Sequence, residues 1–140
     1  MELQQIRKGN IFNIDNGVML NMRVKRFFID NEGNDSVIIG STNTLMETET
    51  AAPVSMLEGI PVTEEILQDL GFYWDFASAY WRYDDLYVID NGKLGFSAIL
   101  TLQDYNLTVP IPYVHTLQNL YFAIMGKELP LKLAHFELSE

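Results

Sequence analysis

Few residues in this chain could do chemistry, and they are scattered. His115 is one of two histidines. It falls near the start of a helical pattern beside Tyr113 and before Asn119, where an imidazole with a near-neutral pKa could bind a ligand or move a proton. No partner lies near it in sequence, so a helix-start histidine bonded to the neighbouring loop is the favoured reading. Asp84-Asp85, with Asp75, Asp90 and Asp104, form the one acidic grouping of interest. They follow no metal-ligand spacing such as HExxH or an EF-hand loop, and adjacent aspartates at strand ends read as solvated turns. Gly92-Lys93-Leu94-Gly95 is no phosphate loop, Ser97 has no nucleophile-elbow context, and Ser78 lies in an aromatic loop. The sequence therefore assigns no catalytic residue, no metal ligand and no cofactor.

Aromatic residues are the stronger signal. Phe72, Tyr73, Trp74, Phe76, Tyr80, Trp81, Tyr83 and Tyr87 fall within sixteen positions. Alternating strand faces cannot bury all of them in one small core. Tyr73, Trp74, Phe76, Tyr80, Trp81 and Tyr83 are the candidates for a protein-recognition surface, weighed against a core with ordinary amphipathic edges. A second set, Arg23, Lys25, Arg82 and His115, could hold a small anionic ligand, with aromatic rings stacking on a base and the cations meeting phosphate. A solvated strand face is the plainer account of Arg23 and Lys25.

Composition narrows the classes. The 140 residues fit one domain or two small lobes, and 48% hydrophobic content is that of a globular protein. The formal charge of −10 argues against a binder of nucleic-acid backbones. Up to Gly40 the basic residues Arg7, Lys8, Arg23, Lys25 and Arg26 balance Glu2, Asp15, Asp30, Glu32 and Asp35. All the excess negative charge lies beyond, which implies two regions with different surfaces. The absence of cysteine excludes disulfides and thiolate chemistry and suits a reducing compartment. No signal-peptide core or membrane-length apolar run is present, so no membrane partner is expected.

The elements that would position these residues follow from patterning. Ile6 to Ile14 reads as a strand and Asp15-Asn16-Gly17 as a turn; Val18, Leu20, Met22 and Val24 then alternate with Met19, Asn21, Arg23 and Lys25. Arg26-Phe27-Phe28-Ile29 breaks that alternation, which predicts a bulge or bend. With Ser36 to Gly40, the opening residues form a β-meander or a small SH3-like barrel. Ser41 to Glu58 loses periodicity and reads as linker. The expected organisation is a β-rich lobe over 1–40, a linker over 41–59 and an α+β lobe over 60–140. In the last lobe two helices pack on an antiparallel sheet.

Pro61 to Phe72 predicts a short helix capped by Thr63, with Glu64 and Glu65 at its positive end, Gly71 ending it, and Val62 stapling to Leu67. Tyr80–Tyr83, Leu86–Asp90, Lys93–Leu102 and Leu107–Ile111 read as strands, the second and third joined at Asn91-Gly92. Pro110 and Pro112 place Leu107–Ile111 at an edge or as a lead-in to the next helix. That helix, Tyr113 to Met125, carries Val114, Leu117, Leu120, Tyr121, Ile124 and Met125 at helical spacing and ends at Gly126. Leu129, Leu131 and Leu133 suggest a final edge strand.

Two blocks, Ile60-Pro61-Val62-Thr63-Glu64-Glu65-Ile66-Leu67 with Leu70-Gly71-Phe72, and Tyr113-Val114-His115-Thr116-Leu117-Gln118-Asn119-Leu120-Tyr121-Phe122-Ala123 with Gly126-Lys127-Glu128-Leu129, resemble a family of small uncharacterised proteins encoded by phages and integrated mobile elements of gut anaerobes. The resemblance covers roughly the last eighty residues, with a looser match at Ile6 to Asn10. Val62 and Ile124-Met125 depart mildly from the family's pattern. The resemblance implies a provenance and no activity. The expectation is a non-enzymatic accessory protein, in the bacterial host's cytoplasm or on the virion, that recognises an unknown protein or itself through the aromatic segment. The alternatives are a protein that sequesters a nucleotide or signalling molecule, and a metal-dependent hydrolase using Asp84, Asp85 and His115.

Overall fold

The computed structural model describes residues 5–14, 19–41, 49–102 and 105–130. It is an α+β protein, with two five-stranded antiparallel sheets and two α-helices among the described residues. The chain divides into two units, the first reaching Ile60 and the second starting at Pro61. The Asp15-Asn16-Gly17 turn, Asp104, His135 and the stretch Leu131 to Leu133 lie outside the described residues.

In the first unit, β1 (Ile11–Ile14), β2 (Met19–Ile29), β3 (Asp35–Ser41) and β4 (Glu49–Pro53) run as a meander. A 3₁₀ turn over Val54–Met56 then leads into β5 (Leu57–Gly59), which returns to pair with β1. The sheet order is β4-β3-β2-β1-β5, the expected meander with β5 added beside β1. Phe12, Met22, Val24, Val37, Ile39, Ala52, Val54 and Leu57 are buried together as its core.

The break in the β2 pattern has a defined cause. Val24 pairs with Ile39 and Arg26 with Ile38, so Lys25 is an extra residue on β2. That bulge turns Phe27, rather than Arg26, onto the face shared by Val24 and Val37. It comes two residues before the apolar run Phe27-Phe28-Ile29 that signals it.

The linker expected over 41–59 is corrected at its second half, since 49–59 is β4, the 3₁₀ turn and β5 of this sheet. Ala52, Val54 and Leu57 are its only deeply buried side chains. Strands this short, holding small residues, leave no clear period of two in the sequence.

The second unit opens with α1 (Glu64–Asp69). Thr63 Oγ1 accepts from the Ile66 N–H (3.2 Å), and Glu64 and Glu65 occupy the first turn. At the other end the Phe72 N–H donates to Leu67 O (2.9 Å) and the Gly71 N–H to Gln68 O (3.0 Å), with Gly71 at φ +98°. These are the two bonds of a Schellman ending, and the left-handed φ is why glycine stands there.

The sheet follows: β6 (Tyr73–Asp75), β7 (Tyr80–Tyr83), β8 (Leu86–Asp90), β9 (Phe96–Leu102) and β10 (Tyr105–Pro110), in the order β10-β9-β8-β7-β6. β6 has no counterpart among the expected strands. Asn91-Gly92 joins β8 to β9 but does not close a two-residue turn. Asp90 Oδ1 captures the Gly92 N–H (2.8 Å), and a 3₁₀ turn over Gly92–Leu94 brings the Asn91 N–H to Gly95 O (2.8 Å).

α2 (Val114–Met125) starts after Tyr113 and ends at Gly126, φ +71°. Its start is tied to that of α1 through the Val62 N–H to Pro112 O (3.1 Å) and a bridge between Pro61 and Tyr113. The buried stripe is Val114, His115, Leu117, Gln118 and Tyr121. It is rotated from the expected one: Leu120 and Met125 are half-buried and Ile124 is exposed. No helix among the described residues is long and apolar enough to cross a membrane.

Candidate functional site

The aromatic segment is split by the pleat of the second sheet. Across the strands, Trp74, Trp81, Val88 and Ala98 stand on one face, with Tyr83 and Leu86 beside them. This face receives the helices. Tyr83 packs edge-on to Tyr121 of α2 at 5.6 Å between ring centres and against Phe72 at 5.5 Å. Trp81 is 6% exposed and belongs to the core, as do Phe72, Leu86 and Val88.

The opposite face carries a row of direct cross-strand partners, Tyr73, Arg82, Tyr87, Ile99 and Thr108, with Asp75 paired to Tyr80 in the next row. Arg82 holds this face together. Its guanidinium carbon lies 5.1 Å from the centre of the Tyr87 ring, Nη1 is 3.6 Å from Asp75 Oδ2, and Nε donates to the Asp84 carbonyl oxygen at 3.0 Å. Tyr80 meets Tyr87 edge to face, with ring centres 6.2 Å apart. The result is a set of half-buried phenol rings around one positioned cation.

At the β6 edge the surface becomes fully open. Asp75 builds the turn there: its Oδ1 accepts from the Ala77 N–H (2.9 Å) and its carbonyl from the Ala79 N–H (2.8 Å), with Ala79 in the left-handed region at φ +61°. Phe76, at the tip of that turn, is 89% exposed. Tyr73 is 53% exposed, and Trp74 is exposed at the edge while its ring rests edge-on against Trp81, 5.6 Å between centres.

Of the six recognition candidates, Tyr73, Trp74 and Phe76 are exposed along one edge, Tyr73 on the face that Tyr80 continues and Trp74 on the opposite, helix-bearing face. Trp81 and Tyr83 belong to the helix-covered side, so they are corrected to core and core margin. Their registers, alternate to Tyr80 and Arg82, put them there. Tyr87 and Asp75 complete the face although neither was a candidate. The two-residue Asp84-Asp85 connection carries the missed signal: it requires Tyr83 to pair with Leu86 and hence Arg82 with Tyr87.

The anion-binding set does not come together within either unit. Arg23 and Lys25 are half-buried on β2 of the first unit, Lys25 as the bulge residue, so neither is a freely solvated strand cation. Arg26 reaches Glu49 at 3.5 Å on an exposed edge. In the second unit, His115 is buried on α2 and stacked on Tyr113 with rings 5.6 Å apart and 8° from parallel. Burial pushes its pKa down to about 4, so the imidazole is neutral and structural at neutral pH. It is corrected from a ligand candidate to a core residue, because the apolar stripe of α2 turns it inward.

Asp84 serves the scaffold too. At φ +54° it turns the β7–β8 hairpin, and its Oδ2 accepts from the Tyr121 hydroxyl (3.3 Å) and lies 3.5 Å from Lys127 Nζ. Among the described residues no three His, Asp or Glu side chains are grouped to hold a metal ion, so Asp84, Asp85 and His115 form no such centre. No protein-family model, curated protein or solved structure matches the chain.

Proposed function

We propose that this chain is a non-enzymatic accessory protein of a phage or integrated mobile element that acts by recognising another protein through the aromatic edge of its second sheet. The observation that carries this reading is the exposure of Tyr73, Trp74 and Phe76 on one short edge strand and its turn. Large rings held by a rigid turn give contact area at low entropy cost, which suits a recognition hot spot. Tyr80, Arg82 and Tyr87 extend that surface inward with phenol hydroxyls and a guanidinium that is already oriented. The phage or mobile-element provenance, and with it action in the host cytoplasm or on the virion, rests on the sequence resemblance alone.

The test compares wild type with a Tyr73→Ser/Phe76→Ser double variant, whose side chains lie outside the core. Capture from a lysate of the producing host, with thermal melting in parallel, should show a partner lost by the variant while the melting temperature holds. Equal recovery of every bound protein by both would sink the reading.

One feature of the same face favours a second reading, a small anionic ligand. The Arg82–Asp75 ion pair is long at 3.6 Å, and a phosphate could replace the carboxylate beside the tyrosine rings. Native mass spectrometry of freshly purified protein, with a nucleotide panel in thermal-shift assays, decides it; no retained mass and no shift would remove it.

A further inference from the structure

We propose that Asn91 is a site of spontaneous deamidation, and that the folded β8–β9 connection holds it shut, so that the reaction proceeds only when this loop opens. The aromatic surface plays no part in it.

The chain contains the tetrapeptide Ile-Asp-Asn-Gly twice, as Ile14-Asp15-Asn16-Gly17 and Ile89-Asp90-Asn91-Gly92. In an Asn-Gly pair the glycine nitrogen can attack the asparagine side-chain amide carbon, because no Cβ crowds the approach. A C–N bond forms to the glycine nitrogen, the bond to Nδ2 breaks, and ammonia leaves carrying the proton the glycine nitrogen gives up. The product is a five-membered succinimide, which water opens to aspartate or isoaspartate. Water is the only other reactant, and Asn91 and Gly92 are both exposed to it.

The folded loop holds the wrong geometry for that attack. Asn91 has ψ +19°, so the Gly92 nitrogen nearly eclipses the nitrogen of Asn91 itself and, on a tetrahedral Cα, stands well away from Cβ. Ring closure needs it beside Cβ, facing the amide carbon. Two hydrogen bonds belong to the peptide plane that must turn. The Gly92 N–H, the nucleophile itself, donates to Asp90 Oδ1 at 2.8 Å, and the Asn91 carbonyl accepts from the Leu94 N–H at 3.3 Å. Two more hold the surroundings. Asn91 Nδ2, the leaving group, donates to Ser97 Oγ at 2.9 Å, and Ser97 is buried; the Asn91 N–H donates to Gly95 O at 2.8 Å.

Both bonds of the turning plane must break before the ring can close. Each slows the reaction by a factor of about five, so the closed loop holds Asn91 back roughly tenfold or more. Conversion then acts on the loop itself. The acid lacks the Nδ2 donor to Ser97 and sets a second carboxylate beside that of Asp90, while isoaspartate also lengthens the main chain between β8 and β9. A converted loop therefore closes less well than the original, and the accumulated product records the time the loop has spent open.

The test is a time course of the full-length protein in mildly alkaline buffer, with and without denaturing urea, read by peptide mapping that separates asparagine, aspartate and isoaspartate. In the unfolded chain Asn91 and Asn16 should convert at like rates, since their tetrapeptides are identical. In the folded chain Asn91 should convert measurably but at least about tenfold more slowly than when unfolded. Asp90→Ala, which frees the Gly92 N–H, should speed the folded reaction about fivefold. Tyr121→Phe weakens the second unit without touching the loop bonds and should leave the Asn91 rate unchanged. Equal folded and unfolded rates, or no product from the folded chain after the unfolded one is fully converted and the loop has been given a hundredfold longer, would overturn the proposal. No acceleration by Asp90→Ala would do so too, and so would equal acceleration by Tyr121→Phe, which would assign the protection to the stability of the whole unit. If Asp90→Ala fails to fold, Ser97→Ala takes its place, since it releases the side-chain amide from the other side.

Discussion

Arg82 and Tyr87 are direct cross-strand partners of β7 and β8, and the guanidinium lies over the phenol ring at 5.1 Å from its centre. The contact fixes Arg82 for its other two partners, Asp75 and the Asp84 carbonyl, and so couples the open face to the turn that presents Phe76. The side chain is one-third exposed, so the 3.6 Å ion pair contributes little and the stacking more. A double-mutant cycle of Arg82→Ala and Tyr87→Ala in urea denaturation should give a coupling of about 0.5–1 kcal/mol. Coupling that vanishes in high salt would mean that screened charge, not the ring contact, joins the two residues.

His115 makes stability depend on acid. Its folded-state pKa is about 4 against an ordinary 6.5, so between those values the unfolded chain binds the proton that the folded one refuses. Stability therefore rises with pH across that window and is lost as pH falls from about 6.5 toward 4. The loss should reach about 2–3 kcal/mol once His115 is protonated in both states. Denaturant melts at pH 7.5 and 4.5 should differ by more in wild type than in His115→Phe. Equal differences would place the acid sensitivity in the carboxylates instead.

Two left-handed positions in the second unit should answer oppositely to substitution. Ala79, at φ +61°, holds the Asp75 turn in a conformation that costs an L-residue about 1 kcal/mol, so Ala79→Gly should be neutral or stabilising by up to about that amount. Gly71, at φ +98°, would carry a Cβ 3.2 Å from the Tyr83 ring, so Gly71→Ala should destabilise by about 1–3 kcal/mol. Thermal unfolding of both variants checks the contrast. Stabilisation by Gly71→Ala would show that the α1 ending relaxes freely.

Legibility in the sequence followed the range of the forces involved. Thr63 and Gly71 act on backbone groups a few residues away, so α1 could be read with both caps. The β2 bulge showed itself as a one-residue slip in alternation. The strands of 49–59 were illegible because they gain their place from partners in β1 and β3, not from their own pattern. Helical spacing narrowed α2 to adjoining stripes, but only the sheet beneath it selects Gln118 over Ile124 as buried. In the aromatic segment, composition announced a surplus of rings, whereas the sorting of Trp81 inward and Tyr87 outward needed the hairpin register.

Tyr121 joins core and turn in a single side chain. Its ring is fully buried against Tyr83, and its hydroxyl donates to Asp84 at 3.3 Å. Burial, together with the neighbouring Tyr83 and Asp84, pushes its pKa up to about 12. Above pH 10 the unfolded chain gives up the phenol proton while the folded chain keeps it, so this group makes stability fall as pH rises through that range. Tyr121→Phe keeps the ring and removes the hydroxyl, leaving Asp84 with Lys127 at 3.5 Å. The cost should be about 0.5–1.5 kcal/mol at pH 7, because a single hydrogen bond is lost and the carboxylate is open to water. Tyr121→Ala should cost about 3–5 kcal/mol through the cavity left between α2 and the sheet. Denaturation at pH 7 separates the two variants, and at pH 10.5 the stability difference between wild type and Tyr121→Phe should narrow. A constant difference would show that the phenol proton is not held more tightly in the folded state.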